Sequence, residues 1–298
     1  MSRPEIIERA TELRQQRVPF VHARVVLAER PTSAKPGDEA VILGDGTIVG
    51  FVGGNCAEST VRAQALALLD SGDSVLLRIS PAPEPDQPGK VVVHNPCLSG
   101  GTLEIFLAPE IPVPRVVVLG DSPVARALLL LGGPLRYDMD AFDGTLPADA
   151  AAVVVASHGR DEEQVLADAV RAGVPYVGLV ASRKRGEAVV ASLDMCGSMK
   201  GRIITPAGLD IGARSPEEVA LSILADIVAR RPQPSGRPID SAGASTATAL
   251  DPVCGMTVAT VESSLHLEHE GALVWFCGSG CLRAFASNPA AYAVSIAE

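Results

Sequence analysis

A strand-then-helix order repeats three times between residues 113 and 193, and no other feature of the 298-residue chain constrains its fold as much. Each repeat begins with a short apolar, β-branched run, such as RVVVL at 115–119, and continues through a turn into a helical pattern. Successive strands joined by helices form a parallel sheet with right-handed connections. We therefore expect a Rossmann-like parallel α/β domain over residues 111–230.

Two helix starts in this domain carry capping signals. Asp161 directly precedes one helical pattern and is expected to be its N-cap. The last helix follows Ser215, with Pro216 at its first position and Glu218 as the partner in a capping box. These signals predict where two of the helices begin.

Residues 1–110 lack that repeat and mix helix and strand signals. An opening helix precedes a strand at 18–29, and two apolar runs within 40–52 turn at an Asp-Gly pair, which is typical of a β-hairpin. A helical pattern follows Cys56 and ends at Gly72. We expect an N-terminal α+β domain.

The charge of the chain argues against two classes of partner. The formal net charge is −10 and the pI is near 5.0, whereas nucleic acids and anionic membranes are bound by clusters of Lys and Arg. No apolar run approaches the roughly 18 residues of a membrane span, and the charged, amphipathic start is unlike a signal peptide. We expect a cytoplasmic protein whose six cysteines are thiols or metal ligands.

A Pro-, Ser- and Ala-rich stretch at 231–249 has no apolar period, which predicts a linker to a small final module at 250–298. That module spaces Cys254, Cys277 and Cys281 as C-x22-C-x3-C. Two thiols four residues apart at a helix start can share one ion with a thiol from a neighbouring hairpin. So small a domain gains much of its stability from a metal, and the spacing therefore predicts a metal site.

The final module resembles the YHS family of metal-associated domains through the phrases DPVCGM, WFCGSGC and NPAAY. The eponymous Tyr-His-Ser is not intact, since Trp275 stands in the aromatic position and Gly278 follows the cysteine. The resemblance implies a soft or borderline ion, namely zinc, copper or iron. Packing of the thiols without a metal is the alternative. His266 or His269 is a candidate fourth ligand, although exposed strand histidines are commoner.

The stretch GFVGGNCAEST places a cysteine behind two glycines at the start of a helix. Gly53 and Gly54 permit close backbone approach, and a helix N-terminus lowers the pKa of a thiol. Cys56 is therefore a candidate reactive thiol, with Glu58 in the same first turn. Cys97, between NP and SGG, lies in a second turn of this kind. The alternative is that both cysteines are ordinary small turn residues.

Six phrases make residues 5–230 resemble the xanthine dehydrogenase accessory family of the XdhC/CoxF type: TSAKPGDEAVI, GFVGGNCAES, NPCLSGGTLEIFLAP, SHGRDEE, YVGLVASRKR and PAGLDIGARSPEEVALSILADIVA. The resemblance implies a chaperone for the molybdenum cofactor rather than a turnover enzyme. Such proteins bind the cofactor, assist its sulfuration and deliver it to xanthine dehydrogenase or aerobic carbon monoxide dehydrogenase. The phrases TSAKPGD and GGNC favour the latter client. The expected partners are that enzyme and a sulfurase, and a homodimer is compatible with this role.

The thiol chemistry agrees with this resemblance. Molybdenum and its sulfido donor are thiophilic, so a protein that handles them needs a soft, accessible thiolate. The resemblance therefore assigns Cys56, Glu58 and Cys97 to the chemistry of the cofactor, with Gly53 and Gly54 as backbone contacts.

A basic helix start in the α/β domain is a candidate phosphate site. The SRKR run follows a strand at the carboxyl edge of the sheet and enters a helix, so Ser182, Arg183 and Arg185 are predicted to bind the phosphate of the molybdenum cofactor. His158 ends another strand at the same edge and is a further candidate contact. A solvated basic helix start is the alternative, and Ala181 stands where the family usually has glycine.

A nicotinamide-dependent oxidoreductase is a rival interpretation. A dinucleotide fingerprint needs three glycines after the first strand, and GDSPVA keeps Gly120 but has Ser122 and Ala125 in the other places. Asp138 or Asp140 could hold a ribose, but Asp is also ordinary at a strand end. NAD(P) is therefore not expected, while Gly120 remains a candidate cofactor contact. A second rival is a metal-carrying or metal-sensing protein.

Overall fold

The computed structural model describes residues 3–96, 101–157, 159, 161–231 and 247–292. They form two compact units, of which the first combines residues 1–112 with residues 234–298 and the second spans residues 113–233. Most of the predicted linker, together with Cys97 and His158, lies outside the described residues. The C-terminal module, defined here as residues 247–292, therefore packs in the same unit as the N-terminal domain.

The N-terminal domain is a six-stranded sheet with two helices. Its elements are α1 (Arg3–Gln15), β1 (Phe20–Ala28), β2 (Glu39–Leu43), β3 (Ile48–Gly50), α2 (Asn55–Ser71), β4 (Val75–Ser80), β5 (Lys90–His94) and β6 (Leu103–Glu110). The strand order is β3-β2-β1-β6-β4-β5, and every neighbouring pair is antiparallel except β4 and β5. The predicted hairpin is confirmed as β2 and β3.

Alternation along β1 distributes the core over both faces of this sheet, because successive strand side chains point in opposite directions. Val21 and Ala23 are buried in the cluster that includes Leu68 of α2. Phe20, between the sheet and the first helix, is buried with Leu13 of α1. One helix therefore covers each face.

The second unit is the predicted Rossmann-like domain. Its elements are β7 (Arg115–Leu119), α3 (Pro123–Gly132), β8 (Asp138–Ala141), β9 (Ala150–Val155), α4 (Glu162–Arg171), β10 (Tyr176–Leu179), α5 (Arg183–Ser192), α6 (Gly197–Lys200), β11 (Ile203–Ile204) and α7 (Pro216–Arg230). All pairings in the order β11-β10-β9-β7-β8 are parallel, which confirms the predicted sheet. Ser215 and Glu218 form the predicted capping box.

The N-cap position of α4 is Asp161, as predicted, but its side chain does not make the expected capping bond. Asp161 adopts a left-handed backbone (φ 53°, ψ 17°) and makes no side-chain capping bond, whereas a capping Asp needs an extended backbone. The carboxylate of the next residue, Glu162, instead accepts hydrogen bonds from Gly159 N at 2.7 Å and from Ser157 Oγ at 3.1 Å. Glu162 is buried at 1% exposure, so these bonds replace its contacts with water.

The C-terminal module consists of two hairpins and a helix. Its elements are β12 (Thr248–Leu250), β13 (Thr257–Ala259), β14 (Leu265–His269), β15 (Ala272–Phe276), α8 (Ser279–Ser287) and a 3-10 turn (Pro289–Ala291). Phe276 and Phe285 are buried at its centre, and Tyr292 packs beside them. Trp275 contacts His266 in a tilted arrangement, with ring centroids 4.7 Å apart. Among the described helices of the chain, none combines the length and hydrophobicity of a membrane span.

Gly120, at the carboxyl end of β7, has a steric reason to be glycine. Its φ is +114°, and a Cβ atom would lie 2.4 Å from the carbonyl oxygen of Ala156 and 2.6 Å from Cα of Ser157. Both atoms belong to the backbone that follows β9, which cannot move away without disturbing the sheet. The packing of two parallel strands therefore accounts for this glycine without any ligand.

We predict that Gly120→Ala destabilises the second unit much more than Gly144→Ala does. Gly144 has a similar φ of +108°, but a Cβ atom there meets nothing within 4 Å. Gly144→Ala is expected to cost about 1–2 kcal/mol of backbone strain, whereas Gly120→Ala adds a clash and is expected to cost about 3 kcal/mol or more. Urea denaturation of both variants measures the difference, and equal losses would contradict the steric assignment.

Candidate functional site

Cys56 is held rigidly at the start of α2. Gly54 is the N-cap residue, so Cys56 occupies the second helical position. Its carbonyl oxygen accepts hydrogen bonds from Asn95 Nδ2 and from Thr60 Oγ1, each at 3.2 Å. Asn95 is itself buried, at 4% exposure. The backbone that carries the thiol is therefore fixed from two directions.

A cavity of about 820 Å³ opens beside this helix start. The described residues that line it are Arg30, Pro31, Thr32, Ser33, Gly54, Asn55, Cys56, Ala57, Ile79, Pro81, Asn95, Gly101, Leu103, Gly278, Ser279 and Gly280. The wall combines a thiol, an exposed guanidinium, the N-terminus of a 17-residue helix and apolar side chains. Such a cavity can hold a small molecule that carries both a thiophilic centre and an anionic group.

The two glycines of the GGNC phrase have different structural roles. Gly53 has φ +140°, and a Cβ atom there would lie 2.9 Å from Cβ of Ala57, so this glycine is needed for the turn into the helix. Gly54 has no atom within 4 Å of its would-be Cβ and borders the cavity. Of the two predicted backbone contacts, Gly54 is therefore the one that leaves room for a ligand.

Glu58 is not among the described residues that line this cavity. Burial raises the pKa of its carboxyl group, and the nearby charge of Arg62 opposes that shift. The predicted chemical role of Glu58 is therefore not supported by a position on the cavity wall. Cys97, the other predicted thiol, lies outside the described residues.

The three cysteines of the C-terminal module meet in one cluster. Cys254 lies in the turn between β12 and β13, Cys277 follows β15, and Cys281 is in the first turn of α8. The Sγ atom of Cys277 lies 3.5 Å from that of Cys254 and 3.7 Å from that of Cys281. Sulfur atoms around a tetrahedral zinc ion are about 3.8 Å apart, given metal–sulfur bonds of about 2.3 Å. These separations match a thiolate metal site.

Asp251 completes this group of potential ligands and also organises it. Ligand atoms of Asp251, Cys254, Cys277 and Cys281 all lie within 4.8 Å of one another. The Asp251 side chain is fully buried, and its Oδ1 and Oδ2 atoms accept hydrogen bonds from Val253 N at 2.9 Å and Cys277 N at 2.8 Å. The carboxylate therefore fixes the two loops that carry Cys254 and Cys277.

The two predicted histidine candidates do not join this group. His266 Nδ1 lies 2.9 Å from the carbonyl oxygen of Ser264 and its ring contacts Trp275. His269 contacts the edge of Phe285. Packing of the second hairpin holds both rings away from the thiols. The spacing of these histidines in the sequence does not reveal that they are excluded from the metal site.

The three thiols differ in pKa because they contact one another. The hydrogen bond with Cys277 lowers the pKa of Cys254, and the same contact raises the pKa of Cys277. Burial raises the pKa of Cys281 to about 12. Cys254 is therefore the thiol of the cluster that loses its proton most readily. A metal ion that binds the cluster would displace the protons of Cys277 and Cys281.

The cysteine cluster and the wall of the cavity adjoin each other. Cys56 forms a side-chain hydrogen bond with Cys277 and packs in the same cluster as Cys254 and Cys281. A Cβ atom on Gly278 would lie 3.7 Å from the Sγ atom of Cys56. A thiol of the N-terminal domain and the three thiols of the C-terminal module therefore meet at one place in the first unit.

The predicted phosphate residues lie at a second cavity, of about 940 Å³, in the second unit. Ser182 is the N-cap of α5, where its Oγ accepts a hydrogen bond from Arg185 N at 3.4 Å. Arg183 borders the cavity with an exposed side chain, and Asp210 on the same wall opposes its charge.

The guanidinium of Arg185 forms an ion pair with the buried carboxylate of Glu162. Its charge is therefore already neutralised within the unit. This pairing weakens the predicted phosphate role of Arg185 and leaves Arg183 as the stronger cation.

The two candidate ribose residues are also engaged. Asp138 and Asp140, on β8, both form ion pairs with Arg115 of the neighbouring strand, at 3.4 and 3.1 Å. Strand packing therefore explains Gly120, and ion pairs with Arg115 explain Asp138 and Asp140, without a dinucleotide.

Three residues of the two sites escaped the sequence-based predictions, namely Arg30, Asn95 and Asp251. Asp251 and Asn95 each stand in a phrase that was recognised for its cysteine, DPVCGM and NPCLSGG. A polar residue beside a proline in such a turn was the available signal. Arg30 also precedes a proline, Pro31, but it belongs to no cysteine-containing phrase, and only the fold brings it to the cavity.

We predict that Asp251→Ala weakens zinc binding by the full-length protein by about tenfold or more, because ligand-orienting partners contribute on that scale. The substitution removes the acceptor of the buried Cys277 N–H and of the partly buried Val253 N–H, which is expected to cost about 1–3 kcal/mol of stability. Competition with a chromophoric chelator measures the affinity. Glu262→Ala, which removes an exposed acid of the same module, is the matched control. Equal zinc affinities for the two variants would contradict the organising role.

Two segments of the chain match known families. Residues 13–80 match the model described as the XdhC and CoxI family, and residues 116–227 match the model described as the XdhC Rossmann domain. The predicted similarity to the XdhC family is confirmed over both segments. The resemblance of the C-terminal module to YHS domains stays a prediction, since both segments end before that module.

The chain is similar to two curated proteins of Escherichia coli K12. It is 26% identical over 254 aligned residues to the uncharacterized protein YqeB, an alignment that covers 75% of this chain and 46% of YqeB. It is 25% identical over 263 aligned residues to the molybdenum cofactor insertion chaperone PaoD, with coverage of 70% and 82%. The chain therefore spans about half of YqeB and most of PaoD.

The fold is shared with a solved structure. A xanthine dehydrogenase from Bacillus halodurans matches with a TM-score of 0.50 and 15% sequence identity, over 76% of this chain and 66% of that one. At that identity the likeness establishes the fold alone.

Proposed function

We propose that this protein is a cytoplasmic maturation factor that binds the molybdenum cofactor and serves its insertion into a molybdenum hydroxylase. The observation that carries the proposal is the Cys56 thiol, fixed at a helix N-terminus on the wall of a cavity of about 820 Å³. The similarity to PaoD, a molybdenum cofactor insertion chaperone, supports the same role. Assistance in sulfuration by a sulfurase and a client of the xanthine or carbon monoxide dehydrogenase type belong to this proposal.

The residues of the cavity fit the chemistry of that cofactor. When bound, the cofactor supplies a thiophilic molybdenum centre and an anionic phosphate. Cys56 offers a soft sulfur ligand for the first. Arg30 and the N–H groups at the start of α2 offer positive charge and hydrogen-bond donors for the second. The cavity volume also falls within the usual range for small-molecule sites, about 300–1,000 Å³.

The fixed position of Cys56 suits a carrier that must take up and release its cargo. The hydrogen bonds from Asn95 and Thr60 keep the thiol in place without using the sulfur itself. Gly54 leaves the approach to the thiol open. A bound group could therefore arrive and leave without a rearrangement of the helix start.

The second unit offers a separate candidate for phosphate recognition. Ser182 caps α5, and Arg183 places an exposed cation at the wall of the cavity of about 940 Å³. A helix start with a cation is a suitable site for a phosphate group. We assign this role to Arg183 rather than to Arg185, which is paired with Glu162.

A second candidate function is metal carriage by the C-terminal module. The cluster of three thiols and a buried carboxylate supports it. A carrier of zinc, copper or iron would need that cluster but not the cavity at Cys56. The nicotinamide-dependent alternative has less support, because Gly120, Asp138 and Asp140 all have structural explanations.

We predict that Cys56→Ser reduces retention of the molybdenum cofactor by at least about tenfold, because a hydroxyl is a poor ligand for a soft metal. The full-length protein is incubated with the cofactor and desalted, and molybdenum and pterin are then measured. Cys196→Ser is the control, since Cys196 is exposed in the second unit. Equal retention by both variants would reject Cys56 as the cofactor thiol.

We predict that Arg183→Ala weakens binding of a pterin phosphate and reduces its dependence on salt, since one cation of the site is lost. Lys184→Ala removes the same charge from an exposed neighbour that does not border the cavity, and it should have little effect. Titration calorimetry at low and high ionic strength measures both variants. Equal affinities for the two would place the phosphate elsewhere.

Arg185→Ala should instead lower thermal stability, because it leaves buried Glu162 without its cation.

A further inference from the structure

We propose that Cys56 is the fourth ligand of the metal site in the C-terminal module. A single thiophilic ion would then be held by Cys56, Cys254, Cys277 and Cys281. Three of these thiols come from the module and one from the N-terminal domain. The ion would join two parts of the first unit that the chain connects only through the whole second unit.

The positions of the sulfur atoms carry this proposal. The three module thiols already stand at the separations of a tetrahedral thiolate site, 3.5 and 3.7 Å. Cys56 forms a side-chain hydrogen bond with Cys277, the central member of that group. All four cysteines pack in one small cluster with Met256. The Cys56 thiol therefore lies beside the cluster, on the side of the N-terminal domain.

Asp251 is the competing candidate for that fourth position. Both of its carboxylate oxygens already accept hydrogen bonds from backbone N–H groups, of Val253 and Cys277. A soft or borderline ion also prefers thiolate to carboxylate. Asp251 thus acts as a positioning residue that holds the loops, and Cys56 is the better ligand.

A second contact keeps the module against the N-terminal domain independently of the thiols. Ser263 Oγ donates a hydrogen bond to the carbonyl oxygen of Asp45 at 3.0 Å, at the tip of the first hairpin. A Cβ atom on Gly46 would lie 2.8 Å from both Ser263 Oγ and Val261 Cγ2, so the two surfaces are closely packed there. The three module thiols are therefore already held beside Cys56 before any ion binds.

The binding reaction is an exchange of ions without electron transfer. A divalent ion forms four metal–sulfur bonds, and each thiol that was still protonated releases its proton to water. If the proposed function holds, one further consequence follows. The Cys56 sulfur could not serve the ion and the cofactor at once, so metal loading would decide whether this thiol is available in the cavity.

X-ray absorption of the zinc-loaded full-length protein tests the ligand set without any substitution. We expect one zinc per chain with four sulfur neighbours at about 2.3 Å. Three sulfurs with one lighter neighbour, or the absence of stoichiometric zinc binding, would overturn the proposal.

Cobalt substitution tests the contribution of Cys56 itself. The sulfur-to-cobalt charge-transfer absorption of Cys56→Ser should fall to about three quarters of the wild-type intensity, since one of four thiolates is lost. Cys196→Ser should keep the full intensity. An unchanged spectrum for Cys56→Ser would overturn the proposal, and a variant that fails to fold leaves the zinc absorption measurement as the deciding one.

Alkylation of the wild-type protein gives a third measurement. Zinc should slow the reaction of iodoacetamide with Cys56 at least about tenfold, because a metal-bound thiolate is a poorer nucleophile. Exposed Cys196 serves as the internal reference and should react at the same rate with and without zinc. Equal rates at Cys56 would contradict the proposal. These metal measurements use no molybdenum cofactor, so their failure is distinguishable from loss of cofactor retention in Cys56→Ser.

Discussion

The packing of α2 against the six-stranded sheet is the interaction on which the candidate site depends. Val61 and Leu68 of this helix are fully buried with the strands, which fixes the helix relative to the sheet. Its N-terminus is thereby held where Asn95 can bind the carbonyl oxygen of Cys56. The same helix packs beside β13 of the C-terminal module. One buried helix face thus positions the thiol, the cavity and the neighbouring cysteine cluster.

Most of the fold could be predicted because its signals are local. The strand–helix repeat, the Asp-Gly turn and the last capping box are each contained in a few residues, and the structure confirms all three. The site is different, since Cys56 meets thiols that are 198 to 225 residues further along the chain, and no periodic pattern reports such a contact. Likewise, Arg185 belongs to a basic run in the sequence, but the fold pairs it with Glu162 on another helix. Asp161 is the N-cap position that the sequence predicts, but its left-handed backbone, which no local signal reports, leaves it without a side-chain capping bond.

The second unit shows how a Rossmann-like sheet can lack the features of a dinucleotide site. Its one retained glycine, Gly120, is required by the close approach of two strands. Two acidic residues of β8, Asp138 and Asp140, form ion pairs with Arg115 and so stabilise the edge of the sheet. The cavity at Arg183 lies at the other side of the strand order, next to β10 and β11. The architecture is therefore consistent with phosphate recognition and does not require a nicotinamide.

Trp275 is the single tryptophan of the chain, and it packs in the same small cluster as the four cysteines. Thiol and thiolate groups quench the excited state of an indole ring by electron transfer. The tryptophan fluorescence of this protein therefore originates beside the sulfur cluster. Its emission provides a native optical readout of what the cysteines hold, without any label or engineered probe.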